Sequence, residues 1–261
     1  MKKGKAMKMI NYIGEKLARQ DYVLGAFVAS GSAMNCECMA INGMDFIIID
    51  AEHAQTSTET MVEMSRASEL YGMAAFARVY DMNDGPMMSR LMDVGLHGIM
   101  VPMVETRAQA EKVIKYVKFP PLGKRGANGG RGPRWGAYEN YAVQANDCLY
   151  VIMQCETRLG VENLEEICQT KGLDCIFVGT GDLSQDLGHP GDLKHPDVAA
   201  AIDRILTVCN KYDIVPGIVT ADPDDAVERI KQGFRVVTCM NDQVFFKTES
   251  KKRLDYIRER I

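Results

Sequence analysis

The 261-residue chain contains one tryptophan, four histidines and no apolar run near the roughly 18–20 residues that cross a bilayer. It lacks a basic block: Lys+Arg number 31 against Asp+Glu 35, a net charge of −4. Phosphate backbones are held by clustered Lys and Arg, so a nucleic-acid partner is not expected. No Gly-x-Gly-x-x-Gly follows the first apolar run and no Gly-Lys-Ser/Thr occurs, which removes the usual signatures for dinucleotide and P-loop binding. The first ten residues, MKKGKAMKMI, are basic but carry no secretory apolar stretch, so a cytoplasmic location is expected. The eight cysteines then read as reduced thiols, mostly small core residues. Cys36-Glu37-Cys38 has no second Cys/His pair at zinc-finger spacing, so no structural zinc is expected. Lysines are also missing from one informative place: none falls inside or just after an apolar run. A Schiff-base aldolase needs a desolvated lysine, so carbonyl chemistry in this chain would be metal-assisted.

What is present is a rhythm. Eight apolar runs recur at 22–30, 46–50, 73–79, 97–103, 149–156, 175–179, 214–220 and 235–240. Their continuous apolarity predicts parallel strands covered on both faces. Helical periodicity fills 58–70, 84–94, 106–117, 160–170, 195–211, 223–232 and 243–260. Thr56-Ser57-Thr58-Glu59 and Asp222-Pro223 read as helix starts, and Gly72, Gly95, Gly172 and Gly233 as helix ends. Eightfold β/α alternation in a chain of this length predicts a single-domain (β/α)8 TIM barrel over 1–261, with a doubly wound open sheet as runner-up. One long stretch, 119–147, breaks the rhythm. Rich in Gly and Arg, with Arg125, Arg131, Arg134 and Trp135, it reads as a loop over the barrel mouth that meets an anionic substrate.

In such a barrel the residues ending each strand form the site. Strand two ends Asp50-Ala51-Glu52-His53; strand three carries Arg78; strand five ends Gln154-Cys155-Glu156; strand six ends Gly179-Thr180-Gly181-Asp182. Charged groups directly after buried runs need partners or a metal. Glu156 and Asp182, from neighbouring strands, make a two-carboxylate oxygen site of the kind Mg2+ or Mn2+ favours, and Co2+ is also open. His53 is the one histidine at a strand end in an acidic setting and is the candidate general base. His97 opens strand four at the opposite face, and His189 and His195 flank a Gly-Pro loop as surface groups or fasteners.

IIIDAEHAQ, FARV followed three residues on by ND, LMDVGLHGIMVPMV, PPLGKRG, QCET and GTGDLSQDLG stand in the order and spacing of the HpcH/HpaI aldolases. The chain resembles these metal-dependent (class II) pyruvate aldolases from about Gly25 to its last helix. The resemblance implies that Glu156 and Asp182 hold a divalent metal, that His53 is the base and that Arg78 stabilises the enolate oxygen. It further implies that Gln154 and the amides of Gly181 and Asp182 receive the pyruvoyl group. Asp93 matches an aspartate that raises the basicity of the histidine from a neighbouring subunit, in hexamers whose C-terminal helix is exchanged. The implied reaction is reversible cleavage of a 4-hydroxy-2-oxo acid to pyruvate and an aldehyde. A related lyase or condensing enzyme acting on acyl-CoA or oxaloacetate is the alternative. A non-catalytic 2-oxo-acid binder is disfavoured because Glu156, Asp182, Arg78 and His53 are all present.

Overall fold

All eight apolar runs form strands. In the computed structural model, which describes residues 7–261, these are β1 (Val23–Val28), β2 (Phe46–Asp50), β3 (Ala74–Arg78), β4 (Gly98–Val101), β5 (Tyr150–Cys155), β6 (Cys175–Val178), β7 (Val215–Val219) and β8 (Val236–Asn241). They pair in parallel in chain order, and β8 returns to β1 with Gly25 opposite Thr238, so the barrel closes and the open sheet is excluded. Residues 1–6 of the basic start lie outside the described residues.

The helices are α1 (Tyr12–Leu17), α2 (Ala33–Ile41), α3 (Thr58–Glu69), α4 (Gly85–Asp93), α5 (Arg107–Val117), α6 (Tyr141–Cys148), α7 (Arg158–Glu162), α8 (Leu164–Cys168), α9 (Thr180–Asp186), α10 (Pro196–Lys211), α11 (Pro223–Gln232) and α12 (Asp242–Arg258). The predicted starts hold: Ser57 Oγ accepts from Thr60 N at 3.2 Å, and Asp222 Oδ1 from Asp225 N at 2.9 Å. The four predicted helix-ending glycines all have positive φ. The helix expected over 160–170 is instead two short ones meeting at Asn163, whose side chain turns aside to donate to Glu105 O. Helices α1, α2, α6 and α9 are short, and their weak apolar periodicity gave no signal. None of the helices among the described residues is long and apolar enough to cross a membrane.

Period-two alternation splits the strand residues into two cores. Ile47, Ile49, Ala75, Ala77, Val151 and Met153 face outward and pack against the helices. Phe46, Ile48, Ala74, Phe76, Tyr150, Ile152, Cys175 and Phe177 fill the barrel interior, and Ile13 of α1 plugs it from below. The alternation continues upward past this interior. The next inward positions are Asp50 on β2, Arg78 on β3, Gln154 and Glu156 on and just after β5, and Gly179 just after β6.

The stretch 119–147 departs from expectation. It follows a helix and precedes a strand, and such connections lie at the N-terminal face of a (β/α)8 barrel, not the catalytic one. Its arginines are engaged there, away from this chain's own mouth. Arg125 binds Asp93 Oδ1 through Nε (3.1 Å) and Nη2 (2.7 Å) and lies over the Phe119 ring. Arg131 and Arg134 bind Glu69 at 2.9 and 2.6 Å, and His97 Nε2 is 3.2 Å from the same carboxylate. His97 thus sits at the stability-bearing face, as expected, and its Nδ1 accepts from Ala75 N.

Burial by itself raises the Glu69 pKa, but hydrogen bonds and charge from His97, Arg134 and Arg131 outweigh it and hold the carboxyl down at about 2. Because the folded value is depressed, the stabilisation is complete above the ordinary value near 4.5 and is lost as pH falls toward 2. Glu69→Gln leaves the buried Arg131 and the partly buried Arg134 uncompensated and is expected to cost about 3 kcal/mol at pH 7. Urea unfolding at pH 7 measures the loss, which should shrink progressively on acidification below about pH 4.5.

Candidate active site

The polar layer above the barrel interior is assembled by register. Asp50 and Arg78 are direct Cα partners on β2 and β3. Arg78 Nε and Nη2 donate to the two Asp50 oxygens at 3.1 and 2.8 Å, a forked pair. Arg78 Nη1 lies 3.1 Å from Glu52 Oε2, and the guanidinium sits 4.9 Å above the Phe27 ring. Held from three sides and only 11% exposed as a side chain, Arg78 is a fixed positive charge aimed across the mouth. Asp50 keeps its carboxyl below its ordinary range despite the opposing effect of burial, because Arg78 bonds and charge, with the His53 and Glu52 amides, favour the ionised form.

Glu156 is 2% exposed. Its Oε1 accepts from Met103 N and its Oε2 from Gln154 Nε2, both at 2.8 Å. The residue facing it, just after β6, is Gly179. A β-carbon there would stand 2.1 Å from Glu156 Oε2, so glycine is required for the carboxylate to occupy this place. Asp182, in the first turn of α9, has no hydrogen-bond partner for its carboxylate among the described residues and lines the mouth. Helix α9 has no side-chain cap, so the Gly181 and Asp182 amides are left without intrahelical acceptors, as first-turn amides are.

Two facts test whether these residues suit a divalent cation. Burial, then the like charges of Asp182 and Glu52, push the Glu156 carboxyl up to about 7, against the opposing Met103 N–H and Arg78. Arg78 is already committed to Asp50 and Glu52, so the carboxylates around Glu156 outnumber the cations beside them. Gln154 Oε1 is in addition a buried acceptor with no partner among the described residues. An all-oxygen, negatively charged site with an orphaned acceptor fits a hard dication. The proton and the dication compete for Glu156. Divalent-metal affinity is therefore expected to weaken about tenfold per pH unit as pH falls below about 7, and to level off above it, in titrations of Mn2+ or Mg2+.

His53 follows β2 with its side chain 63% exposed and its Nε2 3.6 Å from Glu52 Oε2. The structure thus brings His53, Arg78, Gln154, Glu156, Gly181 and Asp182 to one end of the barrel. Asp93 is not among them: it ends α4 at the opposite face, bound by Arg125 and by Asn128 Nδ2 at 2.6 Å. Within one chain it cannot reach His53. Asp50 and Glu52 belong to the site though sequence reasoning named no role for them; the inward alternation Phe46, Ile48, Asp50 was the signal available. The described residues place three potential metal ligands within 4.8 Å of one another only at His189, His195 and Asp197. There the imidazoles stack 3.3 Å apart and fasten the loop before α10, and parallel rings cannot aim in-plane lone pairs at one ion.

A cleft of about 610 Å3 opens over this layer. Arg78, Gln154, Gly181 and Asp182 line one side, and residues from the ends of β7 and β8 and the start of α12 line the other. No lysine lines it among the described residues, in keeping with the expectation from lysine placement.

Known proteins similar to this chain share its fold and identify its family. The sequence profile described as HpcH/HpaI aldolase/citrate lyase matches residues 23–246. The chain is 34% identical over 239 residues to 2-dehydro-3,6-dideoxy-6-sulfogluconate aldolase of Pseudomonas putida, covering 91% of this chain and 93% of the relative. It is 37% identical over 212 residues to hydroxypyruvate/pyruvate aldolase of Chromohalobacter salexigens, covering 80% and 83%. Among solved structures, an HpcH/HpaI aldolase/citrate lyase family protein from Burkholderia cenocepacia superposes with a TM-score of 0.89 at 30% identity, covering 95% of this chain and 99% of the other. The chain belongs to the HpcH/HpaI aldolase/citrate lyase family.

Proposed function

We propose that this protein is a divalent-metal-dependent aldolase that reversibly cleaves a 4-hydroxy-2-oxo acid to pyruvate and an aldehyde. The observation that carries the reading is the buried Glu156 carboxylate beside Asp182, with a fixed Arg78 facing the same cleft. Relatives named as aldolases support cleavage to pyruvate over the acyl-CoA or oxaloacetate alternative. Glu156 and Asp182 would hold the metal, Mg2+, Mn2+ or Co2+. When bound it supplies Lewis-acid polarisation of the keto carbonyl.

The chain's own residues do the rest. The Gly181 and Asp182 amides, at the positive end of α9, receive the 2-oxo acid's carboxylate. Gln154 donates to Glu156 and so fixes the carboxylate's orientation. Arg78 presents positive charge where the keto oxygen gains negative charge as the C3–C4 bond breaks, preorganised by Asp50, Glu52 and Phe27. His53, exposed to the mouth, takes the C4 hydroxyl proton and so lets the aldehyde leave.

The oligomer belongs to the same proposal. Val244, Phe245, Phe246, Leu254, Tyr256 and Ile257 are at least half exposed on α12, an apolar surface that exchange between subunits of a hexamer would cover. Asp93, held at the opposite face by Arg125 and Asn128, would then act on a neighbour's His53. The test of the function is pyruvate release from a panel of 4-hydroxy-2-oxo acids with and without EDTA. Metal-dependent release supports the reading; full turnover in chelator-treated enzyme overturns it.

A further inference from the structure

Helix α12 presents an apolar face for a second copy to cover, yet little ties it to its own barrel. Of its 17 residues, Asp242–Arg258, only Asp242 is buried, at 6% exposed. A helix of this length spans about 25 Å, so a tilt of about 20° at its base moves the far end by roughly 9 Å. Whatever fixes that base decides where the whole helix goes. Resting on the exchange of α12 proposed above, we infer that Asp242 is a positioning residue, the mount that aims α12 at a second copy of this chain.

The hydrogen bonds of its carboxylate carry the argument. The helix start is already capped by Asn241, whose Oδ1 accepts from Gln243 N at 3.0 Å and Val244 N at 3.3 Å. Asp242 Oδ1 also accepts from Gln243 N, at 2.9 Å. Its remaining bonds leave α12 and cross to the far end of the chain. Oδ1 accepts from Ala29 N at 2.9 Å, and Oδ2 accepts from Ser30 N at 3.3 Å and from Ser30 Oγ. Asn35 Nδ2 donates to Oδ2 at 3.3 Å and to Ser30 Oγ at 3.1 Å, bracing the group from α2. Ala29 and Ser30 directly follow β1, which pairs with β8, so the mount is bolted to the closed barrel.

Every partner is a neutral donor, and only a carboxylate accepts on both oxygens with charge to strengthen each bond. Asparagine of the same size would turn an NH2 group toward one set of donors and break that side of the grip. The consequences run along one rigid rod. Val244, Phe245 and Thr248, close to the mount, line the rim of the cleft. Phe246, Leu254, Tyr256 and Ile257 are exposed on the same helix. One carboxylate therefore sets the rim and the docking face together, while Glu156 and Asp182 are held by β5 and α9 and do not depend on it.

The experiment compares wild type, Asp242→Asn and Ser30→Ala by light scattering over a range of protein concentrations. Mn2+ titration, trypsin digestion and aldol cleavage are read on the same samples. Wild type is expected to assemble, and Asp242→Asn to dissociate at least about a hundredfold more readily, because several bonds to a charged group are lost at about tenfold or more each. Trypsin should cut within α12 of this variant sooner, with Mn2+ affinity kept at the wild-type value. Its specific activity should climb with protein concentration, which a damaged catalytic group would not produce. Ser30→Ala removes one donor and should shift dissociation the same way by about tenfold; it decides the case if Asp242→Asn does not fold. Wild-type assembly and protease resistance in the variants overturn the inference and leave the exchange of α12 standing. A wild type that stays monomeric at every concentration overturns the exchange itself, and this inference with it.

Discussion

Glu156→Gln abolishes divalent-metal binding and lowers kcat/KM by about 10³-fold or more, while the metal-free protein becomes more stable. The two effects have one cause. Glu156 is buried beside Asp182 and Glu52, so its ionised form is costly until a cation arrives, and its carboxyl sits at about 7 instead of 4.5. Glutamine keeps the shape and can still accept from Met103 N, but it neither charges nor grips a metal. The catalytic loss is several kcal/mol of charge stabilisation, about a decade for each 1.4 kcal/mol. The stability gain follows from linkage. A raised folded value means the wild type loses stability as pH climbs from about 4.5 to about 7, in total on the order of 3 kcal/mol. Metal-free wild type and Glu156→Gln should therefore unfold alike below pH 4.5 and diverge above it, the variant resisting more urea at pH 8. Calorimetric metal titration and urea unfolding of the two proteins decide the matter. A variant that binds Mn2+ normally and turns over would remove the basis of the proposed site.

His53→Ala gives the complementary pattern: kcat falls by about 10²–10⁴-fold, as for removal of a general base, and metal affinity and stability stay near wild type. The reasons are geometric. The imidazole is mostly exposed, lies 3.6 Å from Glu52 and forms no hydrogen bond through its ring among the described residues, so deleting it opens no cavity and breaks no buried network. It is separate from Glu156 and Asp182, so the metal site is spared. Pyruvate C3 exchange and aldol cleavage should both slow, because each needs a proton moved at the mouth. If cleavage proceeds near its normal rate, the base is another group.

The fold was legible because burial on both faces leaves its mark residue by residue. Eight runs such as FIIID and CIFV have no polar side to offer solvent, so they pair inside a layer of helices, and their number and spacing leave little besides a closed barrel. His53, Arg78, Glu156 and Asp182 were legible for a related reason: a charge placed directly after such a run has to be explained. Short helices α1, α2, α6 and α9 were not, since a turn or two carries too few residues for a period to emerge. The 119–147 stretch was misplaced because its composition suggested anion binding. Its position after a helix, which sends it to the base of the barrel, counted for more than its arginines.

Sequence alone therefore determined the barrel, the strand ends and the candidate metal ligands, since these follow from local pattern and chain order. Tertiary structure decided the rest. It paired Asp50 with Arg78 through strand register, and it set Glu156 against a glycine so that its carboxylate is buried among like charges. It also put Asp93 on the far face, held by Arg125 and Asn128. Each of those is a relation between residues distant in the chain, and only packing in three dimensions brings them within reach of one another's charge.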